Sequence, residues 1–159
     1  MRAQCIPSLL LCLLPTVLGM CPSQCSCNHK SVHCREGTLK NIPHFLNPDI
    51  ETLDLAHNTI LKLEHGLTYY TELTLVNLSR NSIHSLGRNQ FINQNKVTDL
   101  DISSNLLSKI RVGAFNGLES LHTLNMKDNN IEKLGSSVFT GIEIFIFSLS
   151  YWTLLKTSF

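Results

Sequence analysis

Four asparagines recur at intervals of 23, 24 and 24 residues, each inside the same apolar frame. The copies are Ile50-Leu53-Leu55-Asn58-Ile60, Leu73-Val76-Leu78-Asn81-Ile83, Val97-Leu100-Ile102-Asn105-Leu107 and Leu121-Leu124-Met126-Asn129-Ile131. Between them runs a second apolar row: Leu67, Phe91, Phe115 and Phe139. A period of this length excludes most folds. No single copy can bury its apolar face, so the copies must stack into one continuous core with capped ends. Within each copy, period-two alternation predicts a short strand that turns residues such as Leu53 and Leu55 inward. The chain then bends. An asparagine at the bend is placed to hydrogen-bond the backbone groups that the turn leaves unpaired inside, so Asn58, Asn81, Asn105 and Asn129 form a structural ladder.

The N-terminal residues read differently. Residues 1–19 carry Arg2 and then an apolar run from Ile6 to Leu18, with Val17 and Gly19 as small residues before a cleavage point. This is the pattern of a secretory signal peptide. The run is too short to cross a bilayer, which takes about 20 apolar residues. Removing Cys5 and Cys12 with the leader leaves four cysteines, Cys21, Cys25, Cys27 and Cys34, and none after them. In a secreted chain such a cluster reads as a disulfide-stapled unit, here an end cap over residues 20–43, with three pairings open. A zinc site that includes His29 and His33 is the alternative, and the leader favours the disulfides.

Charge narrows the function classes. Only 16% of the 159 residues are charged and the net charge is +1. Losing Arg2 with the leader leaves 12 basic and 12 acidic side chains. There is no overall basic excess to hold a nucleic-acid backbone. None of the seven histidines lies in a metal-ligand spacing, and no phosphate-binding glycine loop or nucleophile elbow is present. Nothing points to a catalytic residue or a cofactor, nor, outside the zinc alternative at the cysteine cluster, to a metal. The expectation is a binding protein rather than an enzyme.

The frame L-x-x-L-x-L-x-x-N-x-L, met at all twenty positions of four copies, resembles the leucine-rich repeat. With the cysteine cluster and the segment Val32-His33-Cys34, Leu39, Ile42-Pro43, the chain resembles extracellular leucine-rich repeat proteins with a cysteine-rich N-terminal cap. Slit, Toll-like receptor and adhesion-receptor ectodomains and small matrix proteoglycans are of this kind. The resemblance implies an α/β-type repeat solenoid: a horseshoe segment with a short parallel sheet, of about five strands, on its concave face. It also implies the pairings Cys21–Cys27 and Cys25–Cys34. The expected organisation is a leader over 1–19, a cap over 20–43, four repeats over 44–141 and a divergent apolar tail or degenerate fifth repeat over 142–159. In the family, recognition of protein ligands or receptors takes place at the concave face. The implied localisation is extracellular or at the cell surface, with membrane attachment only if a longer form carries an anchor. Alternatives are a matrix structural component and a soluble short form of a membrane-bound receptor.

The last repeat departs from the frame. Counting six residues from Phe139 puts Ser148, Ser150 and Thr153 at core and asparagine positions. A register slipped by one gives Ile144, Phe147, Leu149 and Leu154, with Trp152 where the asparagine belongs. A truncated or alternatively ended chain is one expectation, an irregular cap another.

Residues alternating with the core point out of the strands. They include Glu51 and Asp54, then Thr74 and Leu75, then Asp99 and Asp101, then His122 and Asn125. Four acids and no lysine or arginine occupy this strip, which reads either as an ordinary solvated polar face or as a mildly acidic face for a basic partner. Asp54, Asp99, Asp101, His122 and Asn125 are the candidate contacts. Asn77-Leu78-Ser79 is the one glycosylation sequon, and Asn77 also points out of a strand.

Overall fold

The computed structural model describes residues 21–35, 37–135 and 137–139, and residues 146–148 for their backbone. The leader and most of the tail fall outside the described residues. Nine short strands follow in order: β1 (Ser26–Cys27), β2 (Ser31–His33), β3 (Thr52–Asp54), β4 (Leu75–Asn77), β5 (Ser85–Leu86), β6 (Asp99–Asp101), β7 (Lys109–Ile110), β8 (Thr123–Asn125) and β9 (Ile146–Ser148). Seven of them form one sheet in the order β1-β2-β3-β4-β6-β8-β9. All its pairings are parallel except β1 with β2.

Each coil supplies one strand, and the register repeats without slippage. Val32 stands beside Leu53, Leu53 beside Val76, Val76 beside Leu100, and Leu100 beside Leu124. This inward row is fully buried. Behind it, the second apolar row stacks ring on ring. Phe91 and Phe115 lie 6.2 Å apart with planes 8° from parallel, and Phe115 and Phe139 lie 5.6 Å apart at 9°. Offset stacks of this kind add to the area they bury.

The sheet is wider than the five strands expected. The extra strand at the start comes from the cap: Asn28 turns the chain back, its Oδ1 accepting the N–H groups of Lys30 (3.0 Å) and Ser31 (2.7 Å). β1 therefore runs antiparallel, outside the repeat frame. At the other end β9 sets Phe147 against Leu124, the slipped of the two registers.

The convex half of each coil is built of turns, and no helix occurs among the described residues. Hydrogen bonds from residue i+3 back to residue i recur there, as from Gly66 to Leu63, Tyr70 to Leu67 and Ala114 to Arg111, each 3.0 Å. Gly117 shows why the chain does not run on as a helix. Its φ is +95°, and a Cβ there would sit 2.3 Å from the Phe91 carbonyl oxygen of the preceding coil. Only glycine allows that approach. A second, two-stranded parallel sheet, β5 with β7, lies outside the main one.

Candidate recognition face

Two disulfides close the start of the stack. Cys21 is bonded to Cys27 and Cys25 to Cys34, with Cα separations of 5.8 and 4.2 Å. Cys34 is fully buried and belongs to the main core cluster, so the staple is continuous with the repeats.

The ladder asparagines hold coil to coil. Asn81 is typical. Its Nδ2 donates to Leu78 O (3.0 Å) and Ser79 O (3.2 Å) in its own bend, and to Leu55 O (2.9 Å) one coil back. Its Oδ1 accepts Ile60 N–H, also one coil back, at 3.0 Å. Asn58 makes the same set to the cap, through Cys34 O and Leu39 N–H. Asn105 reaches Leu78 O and Ile83 N–H, and Asn129 reaches Ile102 O and Leu107 N–H. The residue before each asparagine is left-handed: His57, Arg80, Ser104 and Asp128 have φ between 51° and 59°. That conformation aims the amide inward.

On the other side of the sheet the outward residues form two rows. The first is Ser31, Thr52, Leu75, Asp99 and Thr123, in strand register. The second is His33, Asp54, Asn77, Asp101 and Asn125. In the second row every carboxylate or amide oxygen Oδ1 caps the turn two residues on. Asp54 accepts Ala56 N–H (3.1 Å), Asn77 Ser79 N–H (3.0 Å), Asp101 Ser103 N–H (2.8 Å) and Asn125 Lys127 N–H (3.2 Å). These are Asx turns. Asn125 Nδ2 also donates to Asp101 Oδ2 at 3.0 Å.

Asp54 departs from the expectation. It stands in an outward position but is only 3% exposed. Arg35, 19 residues earlier, folds over it from the cap and donates to Oδ2 through Nε at 2.7 Å and through Nη2, with His33 Nδ1 at 3.6 Å. Burial pushes the Asp54 carboxyl up. The Arg35 hydrogen bonds, the Ala56 N–H and the Arg35 charge outweigh it and hold the group below the ordinary carboxylate range. Asp54 thus ties the cap to the first repeat and is not a free contact. Glu51 is paired as well, with Lys30 at 2.9 Å. The four-acid strip reduces to Asp99 and Asp101.

The first row is what remains to be read by a partner. Leu75 is 40% exposed, an apolar side chain in the middle of a polar face. Asp99 lies beside it in the sheet and takes one hydrogen bond, from Thr98 Oγ1 at 2.8 Å. Thr123 follows, and His122, with Nδ1 2.6 Å from Ser120 O, stands exposed at the rim. Leu75, Asp99, Thr123 and the side chains of Asn77, Asp101 and Asn125 line one shallow open groove. Among the described residues, no buried side-chain nitrogen or oxygen lacks a hydrogen-bond partner. The face offers shape, one apolar contact and negative charge.

Two buried polar residues, Tyr70 and Gln94, were not singled out in the sequence. Tyr70 Oη donates to Pro43 O (2.5 Å) and Gln94 Nε2 to Leu67 O (2.8 Å), each reaching the preceding coil. Their spacing of 24 residues, one repeat, was the available signal.

Comparison with known proteins agrees with this architecture. The leucine rich repeat family model matches residues 95–151. Human oligodendrocyte-myelin glycoprotein is 32% identical over 146 residues, covering 77% of this chain and 33% of that protein. Biglycan of the dog is 36% identical over 159 residues, covering 83% of this chain and 42% of that protein, and human biglycan is 36% identical over 157 residues, covering 82% and 42%. The chain thus spans about a third to two fifths of the length of the curated relatives it matches.

Proposed function

The chain belongs to the leucine-rich repeat proteins, and from that premise we propose that it is an extracellular recognition module whose concave sheet face binds a protein ligand. Its work is display. A stack held by buried amides and apolar rows fixes the outward side chains in place, so little ordering is lost when a partner docks. The observation that carries this reading is Leu75, exposed at the centre of the first outward row with Asp99 at its side. An apolar anchor ringed by polar groups is the composition of an interface centre. Asp99, with Asp101 behind it, favours a basic patch on the partner. The two disulfides suit a secreted or cell-surface chain. Roles in cell adhesion, receptor recognition or signalling are compatible with a face of this kind, as are a matrix component and a soluble form of a membrane-bound receptor.

Asn77 belongs to the same proposal as the glycan site. Its Oδ1 already accepts both N–H and Oγ–H of Ser79, at 3.0 and 2.7 Å, so the sequon is held in a turn. A glycan there stands two residues from Leu75 on the same face and confines ligand contact to the first row and the His122 rim. On the secreted chain, an N-glycosidase should release one glycan, and none from the Ser79→Ala variant. An unmodified wild-type chain removes this part of the proposal.

The recognition reading is tested with an array of purified extracellular proteins. Any pair confirmed by titration should weaken at least about tenfold, roughly 1.4 kcal/mol, in Leu75→Arg. Binding should be unchanged in Ile92→Arg, whose parent side chain is exposed away from the sheet. Confirmed ligands that ignore Leu75→Arg would place recognition elsewhere.

A further inference from the structure

Near-neutrality conceals a segregation of charge. The stretch that follows each ladder asparagine, on the flank where β5 and β7 pair, carries Lys62, Arg88, Lys109, Arg111 and Lys133, and the cap coil adds Lys40. Only Glu64 and Glu132 oppose them there. All six cations are exposed. The ion pairs among the described residues use Lys30, His33, Arg35 and Lys96, and none of the six.

The fold aligns these side chains. Lys62, Lys109 and Lys133 each stand four residues after a ladder asparagine. Ser85 fills the same place in the coil between, and it pairs directly with Lys109. In the cap coil, Leu39 N–H meets the Asn58 amide as Ile60 N–H meets that of Asn81, so Lys40 falls beside Leu61 in the repeat frame. Within one coil, Lys109 and Arg111 are two residues apart in extended chain and share a face, with Ile110 turned in toward the core. Neighbouring parallel strands are about 4.8 Å apart, so the row from Lys62 to Lys133 runs about 15 Å across the coils.

We propose that this flank binds a linear sulfated polysaccharide laid across the coils. Unpaired like charges in a row repel one another, and a chain of near-zero net charge does not need them for overall balance. A row of cations at coil spacing matches a polymer that carries anionic groups along its length. The compartment chooses among polyanions. Two disulfides require an oxidising environment, outside the cytosol where nucleic acid is handled. Anionic lipid is concentrated in the cytoplasmic leaflet, on the wrong side of the membrane. This inference does not depend on the concave-face reading, since it uses a different surface.

The test is titration of the secreted chain with heparin across a salt series, beside Lys109→Gln/Arg111→Gln and a control, Arg80→Gln/Lys127→Gln, with the same change in charge at exposed sites off the flank. Binding to a polyanion weakens with salt in proportion to the contacts made. The flank variant should lose at least about tenfold in affinity and about two contacts from the salt slope. The control should stay within about twofold of wild type on the same electrostatic argument. Equal losses in both variants would mean that net charge alone drives binding and would overturn the proposal. So would tighter binding to phosphatidylserine vesicles or to duplex DNA than to heparin at matched salt, or no heparin binding at all.

Discussion

Two ladders of asparagine and aspartate run the length of the stack, a few residues apart, and they do different work. The inward ladder, Asn58, Asn81, Asn105 and Asn129, spends every polar atom on backbone, half of it belonging to the preceding coil. The outward ladder, Asp54, Asn77, Asp101 and Asn125, caps its own turn with one oxygen, and all but Asp54, which Arg35 covers, present the rest of the side chain to the concave surface. The same residue chemistry serves cohesion when buried between coils and local turn geometry plus display when it faces out. The difference lies in the cost of removal. A buried donor or acceptor left without a partner loses its full desolvation energy, whereas an exposed one turns to water.

The largest effect should come from the inward ladder. Asn105→Ala strands the N–H of Ile83 and removes one of the donors from each of the carbonyls of Leu78, Ile102 and Ser103, which keep Asn81 Nδ2, Asn129 Nδ2 and the Arg80 N–H. Even with partial relaxation this should remove about 3 kcal/mol or more of unfolding free energy, measured by urea titration. Next comes the convex turn on which both ladders depend for their spacing. Gly117→Ala forces a Cβ against the backbone of Phe91 and Ile92 at positive φ, and should cost about 1–3 kcal/mol.

Asp54 is the outward residue that behaves like an inward one, and pH separates it from its row. Its carboxyl is held below the ordinary range when folded, so its contribution is complete above the unfolded carboxylate pKa and is lost as pH falls through the folded value. In Asp54→Asn the Asx turn is kept, as Asn77 and Asn125 keep theirs, but the Arg35 pair is gone. The variant should be less stable than wild type at neutral pH, and the gap should close as the solution is acidified below about pH 4. A gap that is constant with pH would show that Arg35 adds nothing through charge. The smallest effect belongs to an ordinary member of the outward row. Asp101→Ala removes one turn bond and the Asn125 contact, for about 1 kcal/mol.

Much of the stack is legible in the sequence because its rules are periodic. The inward row, the phenylalanine spine and the inward asparagines each repeat at nearly constant spacing, and burial demands a narrow choice of residue at each. The parts that escape are those where position matters and identity does not. The left-handed residues His57, Arg80, Ser104 and Asp128 share a conformation but no chemistry, since the following asparagine pulls each into place. Tyr70 and Gln94 do one job, a bond to the coil before, with unlike side chains. Arg35 meets Asp54 only because the cap hairpin sets β2 beside β3. For that reason the outward strip read as more acidic than it is, and the cations of the β5–β7 flank stayed hidden inside a neutral total.

Amide hydrogen exchange on the wild-type chain compares the two ladders most directly. The N–H groups of Ile60, Ile83 and Leu107 lie outside the main sheet but donate to inward asparagines of the next coil. They should exchange only by global unfolding, with protection equal to that of the central strands. The N–H groups of Ser79 and Lys127, held only by the outward ladder, should open locally and exchange far faster. Equal protection at both sets, or rapid exchange at Ile83, would contradict the claim that the inward amides bind one coil to the next.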